Sequence, residues 1–375
     1  TGNTKHKWNI EKLKKAHHIV KEYKFKKRKV EKGFANKTLY INLSTKEIKE
    51  KPVTDKMKKD FTGGRGFGLK LLWDEIKPST RWDSDENELI ITTGPLCGTT
   101  QYPGSGKSLC LSISPSTDII CDSNVGGFFG PYLKFAGFDA IEIQGKAKHD
   151  VVILIDGENG KVRIESAPLE ETNSHLVNEQ LTEMYANDES DESKQLISVV
   201  SAGKGAENSY WGCMNFSFYD IRRKVCRMKQ AGRGGLGTVL RDKKIKAIVA
   251  KVETFSGITN NPADPNAIAE VGTKLHREVR DLDRYQCNMR AVGTAHLAEI
   301  MDEYDLLPCE NYRFGSFPKA SKIYSPKFFK YFTKIIPDGC WHGCTMACEK
   351  TVDGFEIKTG PYKDDKATVD GPEYE

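Results

Sequence analysis

From about residue 37 to residue 250 the chain repeats one texture: short apolar or alternating segments, each closed by a turn rich in glycine. Residues 89–93, 108–114, 139–144, 151–155, 196–200 and 245–249 are dense in Val, Ile and Leu. They have the length of strands and are too short for free-standing helices. Residues 38–43 alternate, Ser44, Thr45 and Lys46 turn, and residues 47–53 return, which is the pattern of a β-hairpin. A chain punctuated in this way must pair its segments into sheets. After Asn260, Asn261 and Pro262 the period changes. Ile268, Val271, Leu275, Val279 and Leu282 mark one face of a helix, and a further helix is predicted over 292–300. The expected fold class is therefore α+β, with a β-rich domain over 37–255 followed by a mostly helical domain over 256–375.

Residues 1–36 differ from both. Ile10, Leu13, Ala16, Ile19 and Val20 recur at helical spacing, and Lys26, Lys27, Arg28 and Lys29 follow as an unbroken run of charge. Residues 1–37 hold 13 Lys and Arg against 3 Asp and Glu, so this arm carries +10 and the rest of the chain −5, the total being +5. The reading is a basic helical extension lying on the body by one apolar stripe, not a nucleic-acid platform, since no aromatic-interleaved basic surface accompanies it. No apolar run of eighteen residues occurs, so no membrane span is predicted. The start of the sequence lacks the pattern of a secretory signal, and ten cysteines suit reduced thiols, which together point to the cytoplasm. The polar stretch 165–195 is expected to carry a surface helix.

The turns hold the first chemistry. Gly63, Gly64, Arg65, Gly66, Phe67 and Gly68 open a helix through Leu69, Leu72 and Trp73, where amide donors and the helix dipole favour an anion. The dinucleotide fingerprint fails, because Leu69 stands where its third glycine belongs. Residues 103–108 resemble a P-loop but lead into an alternating strand and have Gln101 in place of the leading glycine. What remains there is Lys107 at a glycine-rich strand edge, suited to a phosphate. Residues 122–127 form a second such turn. Residues 222–229 bring Arg222, Arg223, Lys224, Arg227 and Lys229 to a third, residues 230–237. Close backbone approach combined with positive charge is what a polyphosphate or pyrophosphate requires.

The second chemistry is Cys340, Cys344 and Cys348, each separated from the next by three residues and set beside His342. Thiols at this density can share a soft metal: an iron-sulfur cluster with its fourth ligand elsewhere, or tetrahedral zinc with His342. Zinc sites usually pair short cysteine motifs that lie far apart, so one compact triplet favours iron-sulfur.

Taken together and in order, the residues 63–68 opening, the Asn124 and Gly126 turn, the residues 231–237 loop and the cysteine triplet resemble the aldehyde ferredoxin oxidoreductase family. The resemblance covers about residues 37–375. It implies tungsten or molybdenum held by two pterin dithiolenes (a bis-pterin tungstopterin or molybdopterin) beside a [4Fe-4S] cluster, with magnesium bridging the pterin phosphates. It implies a β-rich pterin-binding base and later helical domains, of which the chain stops before the last. By motif match, Lys107, Asn124, Gly126, Ala231, Gly232 and Arg233 would contact the pterin cofactor, Asn124 and Ala231 offering backbone oxygens to magnesium. Cys340, Cys344 and Cys348 would be three cluster ligands, although the family usually separates its first two cysteines by two residues. Glu375 falls where the family places an acid or base near the metal. The implied activity is oxidation of an aldehyde to a carboxylic acid, with electrons passing through the cluster to ferredoxin or an iron-sulfur subunit. The fourth ligand is expected from a C-terminal segment supplied by a longer product or a partner chain; the partners expected are such a chain or a homo-oligomer. Two other readings stay open: the tungsten subunit of a benzoyl-CoA reductase, which residues 96–99 and 126–137 also resemble, and a non-catalytic electron-transfer or scaffold subunit.

Overall fold

The computed structural model describes residues 9–167, 173–256, 259–286, 288–333, 338–360 and 362–370. The chain divides into two compact units, one comprising His6–Thr100 with Ser105–Pro265, the other holding Gln101–Gly104 and everything from Asn266.

The first unit begins with helix α1 (Ile10–Ala16), capped by Asn9, whose side chain accepts a hydrogen bond from the Lys12 amide at 2.9 Å. The helix expected to reach Val20 stops at Ala16. Strand β1 (Ile19–Lys24) follows and pairs with a later strand, so the β-branched pair Ile19 and Val20 serves a sheet edge and stays exposed. The arm is thus partly helix and partly an added strand. Next come β2 (Lys37–Asn42), β3 (Glu47–Pro52), α2 (Asp55–Phe61), α3 (Arg65–Glu75), β4 (Leu89–Thr92), β5 (Ser108–Ile113), β6 (Ile120–Val125), α4 (Phe129–Ala136) and β7 (Ala140–Gln144). They are followed by β8 (Val151–Asp156), β9 (Lys161–Ser166), α5 (Ser174–Tyr185), α6 (Asp191–Gln195), β10 (Ile197–Ser201), β11 (Met214–Asp220), β12 (Val225–Ala231), α7 (Leu236–Asp242) and β13 (Ile245–Lys251).

These strands form two mixed sheets. One runs β3-β2-β7-β4-β5-β6 and the other β1-β9-β8-β13-β10-β11-β12. In each, a late strand sits in the middle: β7 pairs with β2 in parallel and with β4 antiparallel, and β13 pairs with β8 in parallel and with β10 antiparallel.

Helix α4 is buried along its whole length. Its Phe129 ring meets Phe216 of β11 edge to face at 5.6 Å, and on its other side a Cβ at Gly130 would stand 2.3 Å from the Ser108 hydroxyl of β5. It is therefore the layer between the two sheets, and only glycine fits at 130. Gly137, at φ 113, ends it in the left-handed conformation. Lys134 of α4 and Asp139 form a buried ion pair of 2.9 Å whose free positions are filled: Lys134 also donates to the Gly33 carbonyl, and Asp139 accepts the amides of Ala35 and Asn36.

Helix α5 covers the outer face of the seven-stranded sheet. Val177, Leu181 and Met184 pack on Val152, Leu154, Ile197, Val199 and Val249. The expected surface helix is in fact a core helix, because its apolar residues return every three or four positions within a polar sequence. Each such burial is worth about 1.5–3 kcal/mol. Helix α3 covers the six-stranded sheet through Leu71 and Leu72, packed on Ile90, Leu109 and Leu111. Its Leu69 and Trp73, expected on the apolar face, are exposed.

One carboxyl group in this core is unusual. Glu88, just ahead of β4, is fully buried and neither of its oxygens has a hydrogen-bond partner. Burial pushes it up to about 9, helped by the nearby Glu142 carboxylate. Glu142 itself is satisfied by Lys51 at 2.8 Å and by the Thr38 hydroxyl at 2.5 Å. The buried Lys243 amine is pushed down to about 8 by desolvation, and it donates to the carbonyls of Asn87 and Gly145.

The second unit contains α8 (Pro265–Gln286), α9 (Met289–Val292), α10 (Leu297–Glu303), α11 (Ser325–Phe329) and a hairpin of β14 (Thr351–Glu356) with β15 (Lys366–Asp370). The helix expected over 292–300 is broken at Gly293, where φ is 83 and an added Cβ would stand 2.7 Å from the Cys348 carbonyl. Among the described residues no helix is long and apolar enough to cross a membrane.

Candidate functional site: a cationic sheet edge and a cysteine loop

The two sheets of the first unit approach each other where β6 and β12, each an edge strand, come together. Most of the predicted cofactor contacts lie here. Lys107 immediately precedes β5, whose Ser108 and Leu109 pair with Val125 and Asn124 of β6. Asn124 is therefore a strand residue, and the turn begins only at Gly126. Ala231 is the last residue of β12, and the loop that follows lies against β6, with the Arg233 amide donating to the Ser123 hydroxyl at 3.1 Å.

Glycine is required in that loop for two reasons. Gly234 and Gly235 have φ of 70 and 63, and an added Cβ would stand 2.5 Å from the Cys121 sulfur at the first and 2.0 Å from the Tyr210 carbonyl at the second. Packing on β6 accounts for Gly234 and packing on the Tyr210 backbone for Gly235, while Gly232 and Arg233 remain exposed to a ligand. Lys107 and Asn124 are exposed as well. Among the described residues neither Lys107 nor Arg233 has a carboxylate partner, so both charges are available to an anion.

The basic run ahead of the loop has a different role from the one expected. Arg223 and Arg227 pair with Asp220 at 2.9 and 3.1 Å and are buried with it, and Arg222 lies 3.7 Å from the same carboxylate. Burial raises Asp220, and the Arg223 and Arg227 guanidinium groups outweigh it and hold the carboxyl below its ordinary value. Arg227, inside β12, and Arg223, in the turn before it, are structural, because both are committed to the buried Asp220.

Arg65 is the residue the sequence reading left out of the contact set. It opens α3, and its guanidinium holds Asp122 of β6 at 2.7 Å while remaining largely exposed. The signal was an arginine inside a glycine run. What placed it beside β6 was the pairing of β5 with β6, which no local pattern reveals. The residues fit a phosphate-bearing cofactor: two uncommitted cations, a third on one carboxylate, and backbone kept bare by glycine around a single strand.

In the second unit the cysteine loop runs from Asp338, which bridges to Cys348 and Glu349. Cys344 is an activated thiol. Its hydrogen bond with Cys340 lowers it to about 6 against the effect of burial, with further help from the amides of Gly104, Ala347 and Met346. Amide donors converging on sulfur are what a cluster-bound thiolate accepts. His276 Nδ1 meets the Thr345 hydroxyl at 2.8 Å, and Lys350 donates to the carbonyls of Arg290 and Ala347, both at 2.8 Å. Among the described residues no three His, Cys, Asp or Glu side chains form a metal-binding group. The donor chemistry of Cys340 and Cys344 fits a soft metal centre, while the triplet is not gathered into a complete ligand set. His342 packs against Trp341 edge to face at 5.2 Å. Glu375 lies outside the described residues.

Comparison with known proteins gives this arrangement a family. The family model described as aldehyde ferredoxin oxidoreductase, N-terminal domain, matches residues 38–252, and the model for domains 2 and 3 matches residues 270–375. The chain belongs to the aldehyde ferredoxin oxidoreductase family. It is 33% identical to the tungsten-containing aldehyde ferredoxin oxidoreductase of Pyrococcus horikoshii over 92% of this chain and 51% of the relative. It is 32% identical to the aliphatic sulfonate oxidoreductase WOR-like subunit of Pyrococcus furiosus, over 58% of this chain and 34% of that one. The chain spans about half the length of the tungsten-containing relatives it matches. Among solved structures, the active-site complex BamBC of benzoyl-coenzyme A reductase superposes with a TM-score of 0.66 at 21% identity, covering 85% of this chain and 47% of that chain. That likeness is one of fold.

Proposed function

We propose that the chain is the cofactor-binding part of a tungsten or molybdenum bis-pterin oxidoreductase that oxidises aldehydes to carboxylic acids. The observation that carries the reading is the cationic edge where β6 meets β12, in a chain of this family. Lys107 and Arg233 hold the pterin phosphates by charge-assisted hydrogen bonds, each worth about 1.5–3 kcal/mol. Gly126 and Gly232 let the backbone approach, and Asn124 and Ala231 would offer backbone carbonyl oxygens to a magnesium ion. Arg65 keeps Asp122 turned aside, so that the carboxylate does not repel those phosphates.

The pterin-bound metal supplies two-electron redox chemistry, and the protein's task is to hold, tune and enclose it. Cys340, Cys344 and Cys348 would be three ligands of a [4Fe-4S] cluster, which would supply one-electron transfer toward ferredoxin or an iron-sulfur subunit. The amides of Gly104, Met346 and Ala347 favour the thiolate form of Cys344. Glu375 is assigned as the acceptor of a proton released as the hydrated aldehyde is oxidised. The fourth cluster ligand is assigned to a C-terminal segment supplied by a longer product or a partner chain. Elemental analysis of anaerobically purified protein tests the reading: tungsten or molybdenum with iron supports it. Iron alone points to an electron-transfer subunit, and zinc alone refutes both.

A further inference from the structure

The basic run Lys26 to Lys29 has no part in the proposed chemistry, yet it is not a solvated helix either. It is an irregular segment with a fixed course: the Phe25 amide donates to the Gly160 carbonyl at 2.9 Å, and the Lys26 carbonyl accepts from Lys37 at 3.1 Å. Opposite it runs a second strap around Thr259 to Asn261. Asn261 donates to the Val30 carbonyl at 3.0 Å, and Asn260, itself buried, donates to the carbonyls of Pro95 and Cys97 at 2.8 Å each. Between the two straps lies a cleft of about 510 Å³, lined by Lys27, Arg28 and Lys29, with Val30 and Phe135 giving it an apolar wall and Asn261 a polar one.

We propose that this cleft binds a small phosphorylated molecule that carries an apolar or aromatic group. Its size falls in the range of small-molecule pockets, about 300–1,000 Å³. Lys27 has one distant carboxylate neighbour, Glu253 at 3.7 Å, and among the described residues Arg28 and Lys29 have none. Three adjacent cations with so little compensation are suited to a multiply charged phosphate. The apolar residues are nearly buried, Val30 at 5% exposure and Phe135 at 4%, so only a ligand small enough to enter the cleft reaches them. A broad polyanion such as a duplex would touch the lysines alone. Residues 27–30, 259 and 261 all fall outside the two matched family segments, 38–252 and 270–375. Phe135 lies within the first of those segments. None of the lining residues is one assigned to the pterin, so the site is independent of the pterin reading.

The test uses the full chain and ATP as probe, by titration calorimetry at low salt, beside inorganic tripolyphosphate, heparin and phosphatidylserine vesicles. The expected result is saturable binding of one ATP, tighter than tripolyphosphate. Arg28→Ala and Lys29→Ala should each weaken it about tenfold, the loss of one charge-assisted contact. Arg233→Ala should leave it unchanged, which separates this cleft from the cofactor edge. The proposal is overturned if ATP fails to saturate, if Arg28→Ala and Lys29→Ala bind it as the parent does, or if tripolyphosphate binds as tightly as ATP. Binding of heparin or vesicles without ATP also overturns it, marking an unspecific basic surface.

Discussion

Replacing Glu88 by Gln should change how stability depends on pH more than it changes stability itself. The carboxyl has a reference value of 4.5 and is pushed up to about 9 in the folded chain. Between these values the folded protein holds a proton that the unfolded chain has released. Stability is therefore fully present below the lower value and is lost as pH rises toward the upper one, at up to about 1.4 kcal/mol per pH unit. From about pH 5 to about pH 7.5 the loss amounts to about 3 kcal/mol. Lys243 acts with the opposite sign, since its lowered value of about 8 adds stability only as pH rises beyond that point. Staying below about pH 7.5 keeps the two apart. The Gln variant leaves an amide where the carboxyl had no partner, a cost of about 1–3 kcal/mol that does not vary with pH. Urea unfolding of parent and variant, followed by circular dichroism at intervals from pH 5 to pH 7.5, should give curves that converge or cross, the variant gaining about 3 kcal/mol on the parent across the range. Parallel curves would refute the argument, because they would mean that Glu88 is either ionised in the fold or reached by water.

Lys107→Ala and Arg233→Ala should each lower the pterin and tungsten or molybdenum retained after gel filtration without altering the circular dichroism spectrum; full cofactor content in both would remove these residues from the site. Anaerobic protein should show broad visible absorption that bleaches on reduction and is lost in Cys344→Ala, whereas a colourless protein with one zinc per chain would rule out the iron-sulfur assignment. Lys134→Met should destabilise the first unit by about 3–5 kcal/mol, since it leaves Asp139 buried and uncompensated; a shift in urea midpoint too small for 1 kcal/mol would show that water reaches Asp139.

Periodicity made the strands legible. The segments at 89–93, 108–114, 151–155 and 245–249 appear as β4, β5, β8 and β13 within a residue or two. Each is buried on both faces and so reads as a continuous apolar run. Local pattern failed where tertiary partners decided. Ile19 and Val20 continue a helical stripe in sequence but pair with β9 in space. Residues 222–229 look like a ligand-binding run until Asp220 is placed among their guanidinium groups. The edge at β6 was half visible: Lys107, Asn124 and Arg233 carried turn and charge signals, whereas Arg65 needed the sheet order to join them. The cysteine triplet was evident from spacing, but which amides would face Cys344 was not, because Gly104 lies 240 residues away in sequence.

The central position of β13 has a consequence for synthesis of the chain. Residues 245–251 fill the gap between β8 and β10, and until they leave the ribosome both of those strands present bare edges. Three strands of the sheet precede that gap and three follow it, counted along the sheet order. Neither half can close on the other, so the seven-stranded sheet cannot form progressively from its amino-terminal end. Pairing across about 90 residues also makes closure slow. A nascent chain halted before Ile245 would carry two apolar strands, each with one bare edge, into the solvent, and it is this species that a chaperone would need to hold.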